Sequence, residues 1–182
     1  TLEDLINPAF KGEIITPDPR KSGTGFTFLS SIEQSMGPKA WDYLAKFKAN
    51  VAQFTPSGYT PAQKCAAGEY LITVNFVADQ TLASNKGQKI ISTIYPNAGW
   101  SVVPISKMNN KANDEVAKAF IDFCLTKEAG EIISKTTNAI ACNPEVPAPA
   151  GQKPLKELNL FKAYDFAKAG SMKKELTDKF FK

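Results

Sequence analysis

Apolar positions along the chain switch between a strand-like and a helix-like period, and the switches mark out the elements. Glu13-Ile14-Ile15-Thr16-Pro17 is a short β-branched run closed by Pro17 and Pro19, and it reads as a strand. Beyond the turn Asp18-Pro19-Arg20-Lys21 comes Ser22-Gly23-Thr24-Gly25, and then Phe28, Leu29, Ile32 and Met36 at helical spacing. Gly37-Pro38 ends that helix and opens another with Trp41, Leu44 and Phe47 on one face, proline being tolerated in a first helical turn. Thr60-Pro61-Ala62-Gln63 has the form of a capping box and predicts a short helix to Ala67, broken by Gly68.

The next run, Tyr70-Leu71-Ile72-Thr73-Val74-Asn75-Phe76, is apolar almost throughout, the pattern of a strand buried on both faces. Asp79 to Asn85 reads as a short helix stopped by Gly87. Lys89 to Tyr95 reads as a strand followed by the turn Pro96-Asn97-Ala98-Gly99, and Ser101 to Ile105 as an extended piece. Asn113 caps a helix with Val116, Ala117, Phe120, Ile121 and Leu125 on one stripe. A helix from Lys127 to Lys135 and a small strand Ala139-Ile140-Ala141 follow. The proline-rich stretch Pro144 to Pro154 is a connector, and the tail predicts helices over Leu155 to Ala167 and Ser171 to Phe181. Strands alternating with helices argue for an α/β fold with a mixed or parallel sheet.

Composition narrows the chemistry. The chain has 182 residues, 43% hydrophobic and 22% charged, enough to bury a substantial core. No apolar run approaches the roughly 20 residues a membrane span needs. Lys and Arg number 22 against 18 Asp and Glu, a net charge of +4. The basic residues are scattered, so no nucleic-acid stripe is formed, while attraction to small anions is retained. There is no histidine, which removes the commonest general base and metal ligand. Ser22 beside Lys21 is the one nucleophile-and-base pair on offer, and sequence neighbours at a turn seldom face each other, so an enzyme is not expected. Neither a cofactor nor a metal is expected. Cys124 falls in an apolar helical pattern and reads as a buried thiol; Cys65 and Cys142 are left open, paired or free. The chain opens on Thr1 with no signal-like segment after it, so the expectation is a processed or truncated product.

The most specific local feature is strand, turn, Ser22-Gly23-Thr24-Gly25, helix. A helix start exposes unpaired N–H groups and partial positive charge, glycines let a ligand approach the backbone, and the Ser22 and Thr24 hydroxyls add donors. Arg20 and Lys21 add charge next door. The alternative is that Ser22 merely caps the helix and the glycines shape a tight turn.

Here the chain resembles the bacterial extracellular solute-binding proteins of ABC importers. Leu2-Glu3-Asp4-Leu5-Ile6-Asn7-Pro8 with Phe10-Lys11-Gly12-Glu13-Ile14 is similar to their "D-L-L-x-P-x-[YF]-K-G-K-I" segment, and Pro17 to Gly25 to their "P-D-P-x-x-S-G-T-G". Pro56-Ser57-Gly58, Ala67-Gly68-Glu69-Tyr70, Tyr95 to Gly99 and Ala112 to Phe123 follow in the family's order. The likeness is to the type II periplasmic-binding branch with iron, phosphonate and sugar-phosphate binders. It implies an α/β, mixed and largely parallel lobe with C-terminal helices, in a chain lacking most of the first lobe. Residues 1–104 are then expected to form the second α/β lobe and 105–182 a helical segment completing the lobes. The implied function is capture of a small anionic solute, such as a phosphonate, phosphate ester or sugar phosphate, for an ABC permease complex at the membrane. The implied place is the periplasm or the cell exterior, from a precursor with a signal peptide or a lipid anchor. Surface left bare by the absent lobe implies self-association.

Within this resemblance the ligand-binding candidates are Ser22, Gly23, Thr24, Gly25, Asn75 and Asp79. Asn75 and Asp79 follow the apolar strand at the edge where α/β proteins hold ligands. Asn75 is an amide in an apolar run and needs partners. Asp79 reads equally as an acceptor for a ligand hydroxyl or amine and as a helix N-cap. Trp100 is a ligand wall or a packing residue. A ferric-iron binder is one alternative, although iron wants hard anionic oxygens and no tyrosine pair stands at the strand end. The effector-sensing domain of a transcription regulator is another, although no helix-turn-helix is seen.

Overall fold

The computed structural model describes residues 1–109 and 113–182. They fall into two compact units, one made of Thr1–Trp100 with Asn159–Lys182 and the other of Ser101–Leu158. The last 24 residues group with the first hundred.

The first unit is built on a three-stranded parallel sheet in the order β2-β1-β3. The strands are β1 (Ile14–Pro17), β2 (Val51–Thr55) and β3 (Ile72–Thr73). Central β1 is buried along its whole length, as its β-branched run leads one to expect. It pairs Pro17 with Thr55 on one side and Ile15 with Thr73 on the other. Helix α1 (Gly23–Met36) follows β1, and α2 (Ala40–Asn50) follows a 3-10 turn at Gly37–Lys39. Leu29 and Ile32 of α1 and Tyr43, Leu44 and Phe47 of α2 close over Ile14 to make the core. Helix α3 (Thr60–Ala66) follows β2, and α4 (Val77–Asn85) follows β3.

The tail completes this core from the far end of the sequence. After Asn159 the chain bridges Ala98, whose N–H donates to the Asn159 carbonyl at 3.2 Å and whose carbonyl accepts the Phe161 N–H at 3.0 Å. Tyr164 then lies 2.6 Å, hydroxyl to hydroxyl, from fully buried Ser30. Helices α7 (Phe166–Ser171) and α8 (Lys173–Phe181) bring Leu176 and Phe180 into the core.

The second unit contains α5 (Asp114–Cys124) and α6 (Lys127–Thr137). Thr126 caps α6 by accepting the Ala129 N–H, and Asn138 ends it in the left-handed conformation. The predicted apolar stripe of α5 is present but α5 has no buried residue; Val116 is 68% and Phe120 59% exposed.

Several expectations are corrected. The strand over Tyr70 to Phe76 shrinks to Ile72–Thr73 and is half-buried, because it lies at the sheet edge and pairs with β1 alone. Lys89 to Tyr95 and Ala139 to Ala141 form no strand, and Ile91 is 97% exposed. An apolar run without a neighbouring strand to receive its N–H groups has no ladder to join. The helix over Leu155 to Ala167 is a single 3-10 turn, Leu155–Glu157, followed by irregular chain. Cys124 is half-buried, and all three cysteines are free. Ala112 of the matched motif lies outside the described residues. No helix among the described residues is long and apolar enough to cross a membrane.

Candidate functional site

Parallel strands deliver their loops to one edge of a sheet, and here three loops meet at the C-terminal edge. Residues 18–22 lead from β1 into α1, 56–59 from β2 into α3, and 74–76 from β3 into α4. Helix N-termini therefore gather where ligands of open α/β sheets bind.

Asp18 fixes the first loop. Its N–H donates to the Thr55 carbonyl at 2.7 Å, and its own carbonyl accepts the N–H groups of Lys21 (3.0 Å) and Ser22 (2.8 Å). Its buried carboxylate accepts the Arg20 N–H at 2.8 Å and the Arg20 guanidinium at 2.7 and 3.0 Å. That hydrogen bonding, together with the backbone bond and the nearby charges, holds the Asp18 carboxyl below the usual range against the opposing effect of burial. The guanidinium also lies 3.7 Å from the Phe181 ring centre. Arg20 is thus engaged by Asp18 and α8, and it anchors the turn rather than lending it free charge, as the sequence had suggested.

Ser22 holds the N-cap position with extended backbone (φ −116°, ψ 130°), yet its side chain makes no capping bond. Ser22 is 7% exposed, and its hydroxyl has no partner among the described residues. The first helical bond of the turn runs from Phe26 N–H to Ser22 carbonyl at 3.0 Å, so the N–H groups of Gly23, Thr24 and Gly25 precede the ladder. Gly25 is glycine for space. A Cβ there would lie 2.3 Å from the Pro17 carbonyl oxygen, so only glycine lets α1 begin directly over the end of β1. Gly23 faces open space.

The second loop brings in Gly58, quoted above within a motif but not among the candidates. A Cβ on Gly58 would lie 2.5 Å from the Thr24 hydroxyl oxygen and 3.6 Å from that of Ser22. Its Cα therefore forms a wall against both hydroxyls. From the third loop, the Asn75 amide nitrogen donates to the Gly58 carbonyl at 3.2 Å. Gln80, buried on α4, donates to the Asn75 side-chain oxygen at 3.0 Å.

Asp79 lies in the first turn of α4, whose N-cap is Phe76, so the cap alternative does not hold for it. Burial pushes its carboxyl above the usual range, and a bond from the Asn75 side chain acts in the opposite sense. Ser22, Thr24 and Asn75 are thus joined through Gly58, with Asp79 beside Asn75. Trp100 is a packing residue: its indole N–H donates to the Phe161 carbonyl at 3.0 Å, and its ring meets Phe166 edge-on at 5.0 Å. Among the described residues no group of three or more His, Cys, Asp or Glu is placed to hold a metal ion.

Comparison with known proteins gives a consistent picture. Residues 1–171 match the family model described as bacterial extracellular solute-binding protein. A Haemophilus influenzae protein described as uncharacterized is 34% identical over 179 residues, covering 93% of this chain and 50% of that protein. The structure of the periplasmic binding protein AfuA from Actinobacillus pleuropneumoniae, with exogenous fructose-6-phosphate bound, is 31% identical with a TM-score of 0.79. The match covers 98% of this chain and 58% of AfuA. The periplasmic binding protein P5PA is 32% identical with a TM-score of 0.76, covering 100% of this chain and 59% of P5PA. The chain thus spans between one half and three fifths of the length of these relatives.

The Asp18–Arg20 pair yields a pH prediction. A carboxyl held low in the folded state contributes stability above its unfolded value of about 3.9, and that contribution is lost as pH falls through the folded value. Asp18→Asn should therefore lower stability at pH 7 by about 1 kcal/mol, the guanidinium being half exposed. It should also flatten the loss of stability below about pH 4, read by thermal unfolding at stepped pH. An unchanged acid limb would show that the pair does not hold the turn.

Proposed function

The chain belongs to the bacterial extracellular solute-binding protein family, and we propose that it supplies the anion-holding half of a receptor for a small oxyanion-bearing solute. The solute class is a phosphonate, phosphate ester or sugar phosphate, captured outside the cytoplasmic membrane and passed to an ABC permease complex. The observation that carries this reading is the Ser22 hydroxyl at the mouth of α1, which makes no hydrogen bond among the described residues and faces Gly58 beside Thr24, on a residue only 7% exposed. Neutral hydroxyls and backbone N–H groups at a helix start stabilise a negative oxygen without a compensating cation. The same neutral donor set is poor for ferric iron, which asks for anionic oxygen ligands. Asp79, with its acidity weakened by burial, suits the hydroxyl-bearing end of a solute rather than the anionic end. The fructose-6-phosphate bound to AfuA is a solute of this kind.

Self-association belongs to the same reading. Val116, Phe120, Leu125 and Ile132 are more than half exposed in the second unit, and large apolar side chains left in solvent favour association. Light scattering should show the chain associating as its concentration rises, and Phe120→Ser with Val116→Ser should reduce this. A monomer at all concentrations would contradict the proposal.

The solute reading is tested by calorimetric titration of the full chain with inorganic phosphate, methylphosphonate and fructose 6-phosphate. A charge-assisted hydrogen bond contributes about 1.5–3 kcal/mol, so Thr24→Val with Ser22→Ala should weaken the best of these roughly ten- to a hundredfold. Equal binding by the wild type and the double variant would reduce the turn to a helix start and overturn the assignment.

A further inference from the structure

Asn75 entered the sequence reading as a ligand contact, and its hydrogen bonds tie it chiefly to the protein itself. A primary amide offers two N–H donors and two acceptor positions on its oxygen. One N–H goes to the Gly58 carbonyl at 3.2 Å. The oxygen accepts from Gln80 at 3.0 Å and from the Thr73 hydroxyl at 3.3 Å. Three of the four places are filled from within the protein.

The topology gives these bonds their meaning. In the order β2-β1-β3, Gly58 follows one outer strand and Asn75 the other. The Ser22–Gly25 turn issues from the strand between them. The two outer strands stand about 10 Å apart, so their loops meet only if one reaches across the exit of β1. The bond from Asn75 to Gly58 makes that crossing and joins residues 17 apart in sequence. Gly58 is the residue whose Cα faces the Thr24 and Ser22 hydroxyls, and its φ lies outside the left-handed region, so glycine is required there by space alone.

We infer that Asn75 is a positioning residue: it straps the loop after β2 across the turn after β1 and thereby sets the width of the anion site without touching the solute. This rests on the reading of the Ser22–Gly25 turn as that site. Gln80 and Thr73 hold the Asn75 amide in the orientation that presents its N–H to Gly58. Gly58 supplies the thinnest possible wall, so a side chain at that position occupies the space meant for the anion.

Two variants test the strap in the full chain. Asn75→Ala removes it, and Asn75→Leu keeps most of the volume while removing every hydrogen bond and adding no charge. The Tyr59 amide chemical shift, which senses the Gly58 carbonyl in its own peptide unit, should move clearly in both with no anion added, while the amides of α1 and α2 stay where they are. Affinity for inorganic phosphate should fall about tenfold, and Gly58→Ala should lose it altogether. An unmoved Tyr59 amide shift would overturn the inference, whatever phosphate does. A lowered melting temperature with wild-type phosphate affinity would also overturn it, by showing a structural role only. The underlying site reading fails separately, if the Ser22→Ala, Thr24→Val double variant binds phosphate as the wild type does.

Discussion

The approach of α1 to the end of β1 is the constraint on which the site is built, and it is a matter of one missing methyl group. With Gly25 in place the helix begins over the Pro17 carbonyl, where any Cβ would stand 2.3 Å from that oxygen. Because the helix starts so close, the N–H groups of residues 23–25 open onto the sheet edge and the Ser22 side chain is buried beside them. Asp18 keeps the intervening turn compact by bonding forward to Lys21 and Ser22 and sideways to β2. Arg20, clamped between Asp18 and Phe181, ties that turn to the last helix of the chain. A cradle near the N-terminal part of the sequence is thus braced by residues about 160 positions away.

That brace explains why the last residues group with the first hundred. The core over β1 is closed by Leu176 and Phe180 as much as by α1 and α2, and the contact of Tyr164 with Ser30 fixes the approach. The second unit follows a different logic. Its helices are well formed and one is well capped, yet Ala129 is the one hydrophobic residue among its described positions to be nearly fully buried. Amphipathic helices owe most of their stability to an occupied apolar face. That face of α5 is largely exposed.

Local chemistry made the strand–turn–helix legible in the sequence. Ile14 and Ile15, the prolines and glycines that follow, and the helical spacing of Leu29 and Ile32 all point the same way, and the structure agrees. Strand β2 was missed because Val51-Ala52-Gln53-Phe54-Thr55 is short and follows a helix without a break. The Pro56-Ser57-Gly58 turn after it was the signal available. The strand expected over Lys89 to Tyr95 failed for the opposite reason: β propensity is strong there, and no neighbouring strand receives it. In the candidate site, Ser22 and Thr24 could be singled out as candidates from type and spacing. The part played by Gly58 could not, because it depends on which loops the sheet order brings together. Nor could Asn75 be read, since whether an amide meets a solute or another loop is decided by tertiary contacts 17 residues apart.

The central claim is that an oxyanion docks on the backbone at the start of α1. Amide chemical shifts of the full chain, followed as fructose 6-phosphate is added, report on it residue by residue. The account predicts the largest saturable changes at Gly23, Thr24 and Gly25, with smaller ones at Gly58. Saturable changes confined to other surfaces, with these amides unmoved, would contradict it.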